Sequence, residues 1–259
     1  LERVKRQIPV NLSAYDCLLR AKWHHHRRTP EDNAEALKML ERVIDLDPQC
    51  AAAYGWMGCV LAQAVGLGCG GDAAELLARD LEAVRTGLSL DENDIECNRI
   101  LCEFGMINSE WDEAWFHHEK ALFLNPNDPR IIAQRGELLT KLGRSEEAVE
   151  ALEKAMTLDP FHADSRAHLL GRALLASHRY EEAVEAFRRI PELRYDHHAD
   201  IAACLACMGD EDRAAHHRRA VLELKPDFSI SAYMKTQTYK EAADSEHHRS
   251  GLTKAGLPN

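Results

Sequence analysis

Residues 127–160 read NDPRIIAQRGELLTKLGRSEEAVEALEKAMTLDP, which is the pattern of two short amphipathic helices joined by a turn. In both halves, apolar residues recur at the three- and four-residue spacing of a buried helical face. Gly143 predicts a left-handed residue that ends the first helix, and Ser145 predicts a side-chain cap for the second. The second helix is expected to bury Ala148, Leu152, Ala155 and Leu158. This stretch therefore predicts a helix–turn–helix hairpin closed by Pro160.

The same pattern of helix-ending and small residues recurs along the chain with a period of about 34 residues. Small residues at Gly136, Ala148 and Ala155 would let two antiparallel helices approach closely, because no large side chain separates their backbones. A period of this length predicts repeated helix pairs that each pack on their neighbours.

The repeat resembles the tetratricopeptide repeat, whose spaced Gly, Tyr, Ala and Phe are matched by Gly171, Tyr180, Ala183 and Phe187. This resemblance implies an all-α, right-handed α-solenoid of about six helix pairs with a C-terminal capping helix. We predict one repeat domain over residues 1–259. Its units are expected at about residues 12–48, 49–92, 93–126, 127–160, 161–194 and 195–226, followed by a C-terminal cap at 227–259.

Short strings at both ends of the chain resemble a narrower family, the bacterial class III adenylate or guanylate cyclases that carry repeats after their catalytic domain. The strings are residues 14–20, Pro226-Asp227-Phe228, Tyr239-Lys240, Ala243-Asp244 and residues 251–258. The resemblance implies the C-terminal part of a bacterial signalling protein. No residue here matches the catalytic domain of that family, so no metal-binding or nucleotide-binding role is carried over. We interpret the start at Leu1, without a methionine, as a truncation of a larger protein.

The composition narrows the class of partner. A formal net charge of −11 argues against nucleic acid, because binding to phosphates needs a concentrated basic surface. No run approaches the roughly 20 apolar residues of a membrane span, and no signal peptide is recognisable at the start. Eight cysteines without the spacing of a disulfide framework favour a reducing compartment. These features predict a cytoplasmic protein that binds protein and neither nucleic acid nor membrane.

Two motifs resemble a phosphate-binding loop and a metal-binding cysteine pair, but the sequence around each favours a structural role. The glycine-rich residues 66–71 lack the Gly-Lys-Ser/Thr ending of a phosphate-binding loop and follow a helical pattern, so we interpret them as a turn between helices. Cys204 and Cys207 have a metal-like spacing, yet they lie in an apolar helical segment without a second pair. We expect both cysteines to pack as small apolar residues.

Histidine occurs in unusual runs, and the sequence has four tryptophans. The runs are His24-His25-His26, His117-His118, His197-His198, His216-His217 and His247-His248. Neighbouring residues on a helix point about 100° apart, so a doublet rarely supplies two ligands to one ion. We expect solvated or boundary positions, with adventitious metal binding at the triple as the alternative. Trp23, Trp56, Trp111 and Trp115 are expected in the core. We predict no catalytic residue, no metal ligand and no cofactor.

The first helices of the predicted pairs offer the better candidate site, because first helices line the concave face of such a repeat array. The candidate partner-binding residues are Arg99, Glu103, Arg130, Gln134, Glu137, Lys141, His168 and Arg172. Their spacing of three or four residues places each set on one side of its helix, where a peptide or helix could bind. The alternative is a set of solvated ion pairs within each helix.

Some tetratricopeptide domains hold the C-terminal carboxylate of heat-shock chaperones with paired Lys and Asn residues. The chain departs from that pattern, because Arg99 with Glu103 and Ala133 with Glu137 stand at the corresponding places. The sequence therefore argues against a carboxylate clamp.

Three functional hypotheses follow from the sequence. The first is a non-catalytic interaction or regulatory module that binds a protein segment in its groove, or pairs with another copy through an end helix. The second places the same repeats behind a DNA-binding domain in a transcription regulator. The third, a metal-dependent enzyme that uses histidines and cysteines, is the weakest because no nucleophile, base and orienting group can be assembled from spacing.

Overall fold

The computed structural model describes residues 12–259, so the polar lead predicted at residues 1–11 lies outside the described part. Within residues 12–259, fourteen α-helices and a 3₁₀ turn at Pro160–His162 form the structure, and no strand is present. The helices are α1 Leu12–Arg27, α2 Pro30–Leu46, α3 Ala51–Leu67, α4 Ala73–Leu90, α5 Ile95–Asn108, α6 Trp111–Leu124, α7 Pro129–Lys141, α8 Ser145–Leu158, α9 Ala163–Ala176, α10 Tyr180–Phe187, α11 Tyr195–Met208, α12 Glu211–Leu224, α13 Ile230–Thr236 and α14 Ala242–Lys254.

The hairpin of α7 and α8 shows which local signals determine the fold. Gly143 has φ +76° and ends the first helix in the left-handed conformation, as predicted. The prediction that Ser145 caps α8 was wrong: Ser145 is the first helical residue, and Arg144 occupies the cap position without a side-chain hydrogen bond. Leu158 was also expected to be buried, yet it is exposed at the end of α8.

The helices group into two compact units. Unit 1 comprises residues 12–104 and 113–125, and unit 2 comprises residues 105–112 and 126–259, so that α5 and α6 contribute to both. In unit 1, α1 pairs with α2, α3 packs on α2, and α3 pairs with α4. Its buried residues include Leu18, Leu40, Trp56 and Ile100. Helices α3 and α4 have 17 and 18 residues, so this pair is longer than its neighbours.

Unit 2 consists of consecutive helix hairpins followed by a C-terminal segment, which we define as residues 227–259. Helix α9 packs on both α7 and α8, and α10 contacts α11. Gly136 lies so close to Leu152 that a Cβ atom built on Gly136 would come within 2.4 Å of the Leu152 Cγ. The close approach predicted for this glycine is therefore present. The eight-residue α10 ends at Phe187, shortly before Pro191, which cannot continue a helix.

Several side chains differ from the expected burial. Trp56 is buried, but Trp23 is 56% exposed, so the expectation that all four tryptophans belong to the core was wrong. The expectation of solvated or boundary histidines was also wrong for His118, His197 and His248, which are buried. These residues lie on helix faces that neighbouring helices cover, a feature that a run of histidines does not reveal.

Candidate functional site

The first helices of the pairs in unit 2, α7, α9 and α11, lie against the C-terminal segment. The backbone N–H of Lys240 donates to the carbonyl oxygen of Lys141 over 2.8 Å. The Nζ of Lys141 also donates to the Oγ1 of Thr238 over 3.1 Å. Helix α14 then packs on α11 and α9. The chain therefore places its own C-terminal segment on the helices that were predicted to receive a partner.

A buried carboxylate on α11 joins these elements. Asp200 is 0% exposed and accepts hydrogen bonds from Arg172 over 2.8 Å, from Tyr233 over 2.8 Å and from His248 over 2.9 Å. Burial alone would raise the pKa of Asp200, but Arg172 and His248 outweigh it and hold that pKa well below its usual value. The Oη of Tyr239 lies 2.8 Å from the Nδ1 of the same histidine, so this hydroxyl fixes the other side of the ring.

A pocket opens beside this network. Including the space at its mouth that is open to solvent, it has a volume of about 350 Å³, and it is lined by Glu137, Thr140, Lys141, Leu169, Arg172, Gln237 and Tyr239. The Glu137 side chain is 37% exposed, and its carboxylate lies 3.9 Å from the Nζ of Lys141. Burial lowers the pKa of Lys141, the Glu137 carboxylate opposes this effect, and the positive charge of Arg172 adds to it. The pocket thus combines an accessible acid, a half-buried amine and the apolar side chain of Leu169.

His168 lies one turn before Arg172 on α9 but does not line the pocket. Burial, together with the charges of Arg172 and His197, lowers the pKa of His168 to about 4. The rings of His168 and His197 have centroids 6.0 Å apart. His168 is therefore neutral at pH 7 and belongs to the packing between α9 and α11.

The two remaining candidates on α7 have local structural roles. The guanidinium of Arg130 binds the carboxylate of Asp128, the N-cap residue of the same helix, with a closest distance of 2.8 Å. Gln134 was expected to be exposed, but it is 5% exposed and its side chain is in the interior. The first turns of α7 therefore contribute no candidate residue to the pocket, whereas Glu137 and Lys141 near its end do.

Arg99 and Glu103 lie in unit 1, where a compact ion-pair cluster surrounds the arginine. Arg99 donates to Glu96 over 3.0 Å, to Glu103, and to the Sγ of Cys59 over 2.9 Å. Burial would lower the pKa of Arg99, but the neighbouring Cys59 and acidic groups raise it well above its usual value. The guanidinium therefore stays charged and serves as a link between α3 and α5.

The sequence interpretation missed the residues that the C-terminal segment contributes. Thr238, Gln237 and Tyr239 are about a hundred residues from Lys141 in sequence, so no local spacing could place them beside it. A signal did exist for Asp200: an acid directly before the apolar run of residues 201–205 is positioned for burial. Among the described residues, no group of three His, Cys, Asp or Glu side chains is arranged to hold a metal ion.

Comparison with known proteins agrees with this repeated hairpin architecture. Residues 139–206 match the tetratricopeptide repeat family model. This stretch runs from the end of α7 to α11 and so contains one complete hairpin, α9 with α10, together with parts of its neighbours. The match thereby supports tetratricopeptide repeats over residues 139–206, which include Thr140, Lys141, Leu169 and Arg172 of the pocket.

A curated relative matches over a short stretch. The chain is 36% identical over 70 residues to small glutamine-rich tetratricopeptide repeat-containing protein 2 of Mycosarcoma maydis. This match covers 27% of the chain and 20% of the relative, so the chain accounts for about a fifth of that protein's length.

Two solved structures are similar over most of the chain. PilF of Pseudomonas aeruginosa has a TM-score of 0.57 and 17% identity, covering 83% of this chain and 93% of that one. A tetratricopeptide repeat protein of Parabacteroides merdae has a TM-score of 0.53 and 15% identity, covering 95% and 93%. At these identities the similarity concerns the fold alone. It confirms the predicted all-α class of tetratricopeptide-like helix pairs. Among residues 12–259, none of the helices has the length and apolar character required to span a bilayer.

Proposed function

We propose that the chain is a non-catalytic protein–protein interaction module and that the pocket of unit 2 binds a peptide or helix segment of a partner. The observation that carries this proposal is the convergence of three predicted residues, Glu137, Lys141 and Arg172, on one open pocket. Tetratricopeptide repeats, which residues 139–206 match, are a scaffold for binding protein segments. The partner-facing groups therefore combine inner-helix residues with Gln237 and Tyr239 of the C-terminal segment.

The charges in the pocket define the kind of segment that fits. Arg172 is already bound to Asp196 and Asp200, so its charge is balanced within the protein. Glu137 is the accessible charged group, and its contact with Lys141 is long at 3.9 Å. A segment with an apolar side chain against Leu169 and a basic group beside Glu137 would satisfy both features. We propose that partners carry this pair of side chains.

Selection of peptides from a phage-displayed random library would test the pocket. Enriched peptides should pair a basic residue with an apolar one, and Glu137→Lys should weaken their binding by at least about tenfold, because it places like charges together. Glu150→Lys on the exposed side of α8 makes the same charge change outside the pocket and should leave affinity unchanged. Equal affinity for the wild type and the Glu137→Lys variant would show that the peptides bind elsewhere.

We further propose that these repeats regulate a bacterial cytoplasmic signalling enzyme similar to a class III cyclase. The support is the likeness of the terminal strings, including Tyr239-Lys240 and residues 251–258, together with eight cysteines that form no disulfide within the described residues. Sequencing the gene upstream of the codon for Leu1 would test this context. A cyclase catalytic domain is expected there, whereas a DNA-binding domain would favour a transcription regulator.

A further inference from the structure

Helix α1 has a stripe of large apolar side chains on a side that unit 1 leaves uncovered. Leu12, Tyr15, Leu19 and Trp23 are between 37% and 83% exposed. A different side of α1 buries Ala14, Leu18 and Ala21. At about 100° per residue, the four exposed residues fall within an arc of roughly 80° that does not overlap the arc of the buried residues. They form a continuous surface that we call the α1 stripe.

The spacing of the α1 stripe matches that of a helix that packs against another helix. Its members are separated by three, four and four residues, which is close to the alternating spacing of a coiled-coil seam. The stripe includes two aromatic residues, and the Arg27 guanidinium lies 4.7 Å from the Trp23 ring centroid. Aromatic residues and arginine are the types most enriched at the centres of protein interfaces.

The charged residues beside the α1 stripe would form pairs of opposite charge between two copies of the helix. Asp16 and Arg20 flank one edge of the stripe and form an exposed ion pair at 2.8 Å. If two copies of α1 pack in opposite directions about a two-fold axis, the same edge of each helix meets the other. Asp16 of one copy then lies beside Arg20 of the second copy, and the reverse pair forms by symmetry. Leu12 of each copy is level with Trp23 of the other. The smaller side chain at one end of each stripe therefore faces the larger side chain of its partner.

We propose that the α1 stripe is the interface of a homodimer in which the α1 helices of two copies pack antiparallel. The α1 stripe shares no residue with the pocket, so the dimer does not depend on the proposed partner binding. Four large side chains and an ion pair per copy cover less area than a permanent dimer buries, so the association is weak and reversible. The expected dissociation constant is in the micromolar range, on the order of 10 μM to 100 μM.

Sedimentation equilibrium of the full chain over a range of concentrations would test the dimer. The wild type should show a monomer–dimer equilibrium, and Leu19→Glu should weaken it by at least about tenfold, because a charge is buried in the seam. Phe161→Glu replaces a more exposed apolar residue in unit 2 and should leave the equilibrium unchanged. Circular dichroism should show equal helicity for all three proteins, since Leu19 and Phe161 are both exposed.

A charge-exchange series tests the antiparallel direction. Asp16→Arg places two arginines together at each end of the contact and should weaken the dimer. The double variant Asp16→Arg with Arg20→Asp restores opposite charges across the interface and should recover wild-type affinity. A wild type that remains monomeric at roughly millimolar concentration would overturn the proposal. A dimer that is insensitive to Leu19→Glu, or a double variant no better than Asp16→Arg, would also overturn it.

Discussion

At the scale of single residues, Asp80 is a buried acid whose charge is poorly accommodated. It is 1% exposed on α4, and its Oδ1 has no hydrogen-bond partner within the described residues. Burial and the negative charge of Glu103, opposed by Arg99, together raise the pKa of Asp80 to about 8. Because the folded pKa exceeds the unfolded one, the folded state holds this proton more tightly and loses stability as pH rises from about 4 to 8.

We predict that Asp80→Asn stabilises the protein at pH 8 by on the order of 3 kcal/mol and has little effect near pH 4. The neutral amide has the same shape as the protonated acid, so it avoids the cost of a buried charge. Chemical denaturation at several pH values would measure the difference in the free energy of unfolding between the two proteins. A difference that does not change with pH would show that folding does not raise the pKa of Asp80.

Gly136 is required because α8 packs very close to its backbone. A methyl group there would overlap Leu152, which is fully buried. We predict that Gly136→Ala lowers the free energy of unfolding by about 1 to 3 kcal/mol, although alanine is the better helix former. A methyl group added at Gly66, near the end of α3, would have no atom within 4 Å, so Gly66→Ala should stabilise by up to about 1 kcal/mol. Equal effects in thermal or chemical melts would refute the packing explanation.

At the scale of helices, the Asp200 network holds α13 and α14 to α9 and α11. We predict that Asp200→Asn destabilises the protein by on the order of 3 kcal/mol, because Arg172 loses its buried countercharge. Amide exchange in α14 should accelerate at the same time, since His248 loses its acceptor. The same replacement at Asp210, the partly exposed N-cap of α12, should cost little because asparagine caps equally well. Unchanged exchange in α14 would contradict the role of this network.

The helices were predictable from sequence to a greater extent than the site. Gly143 and Pro191 act through their own backbone angles, so their effects could be predicted from the residues alone. The exposure of Gln134 depended on which neighbours cover α7, and the partners of Lys141 come from residues near 240. Contacts over such separations depend on how helices pack, which local periodicity does not encode. The predicted set therefore included Glu137, Lys141 and Arg172 of the pocket but not Tyr239.

At the scale of the whole molecule, the two units should respond differently to acid. Burial, with nearby positive charges, lowers the pKa of His168, His217 and His247 in unit 2 to about 4, below the ordinary value of 6.5. The unfolded chain therefore binds these protons first, and their contribution to stability is lost as pH falls from 6.5 to 4. In unit 1, burial lowers the pKa of His25 to about 4 and also lowers that of His117, and the gain at Asp80 offsets the resulting loss of stability.

We therefore predict that lowering the pH from about 7.5 to 5.5 destabilises unit 2 more than unit 1, by on the order of 3 kcal/mol. Hydrogen exchange measured by mass spectrometry, corrected for the intrinsic pH dependence of exchange, would report the opening free energy of each unit separately. His217→Gln should reduce the acid sensitivity of unit 2, because it removes one of the protons that the unfolded chain binds more readily than the folded chain. If both units lost the same amount of opening free energy, the buried histidines and Asp80 would not control the response to acid. Groups distributed over the whole chain would control it instead.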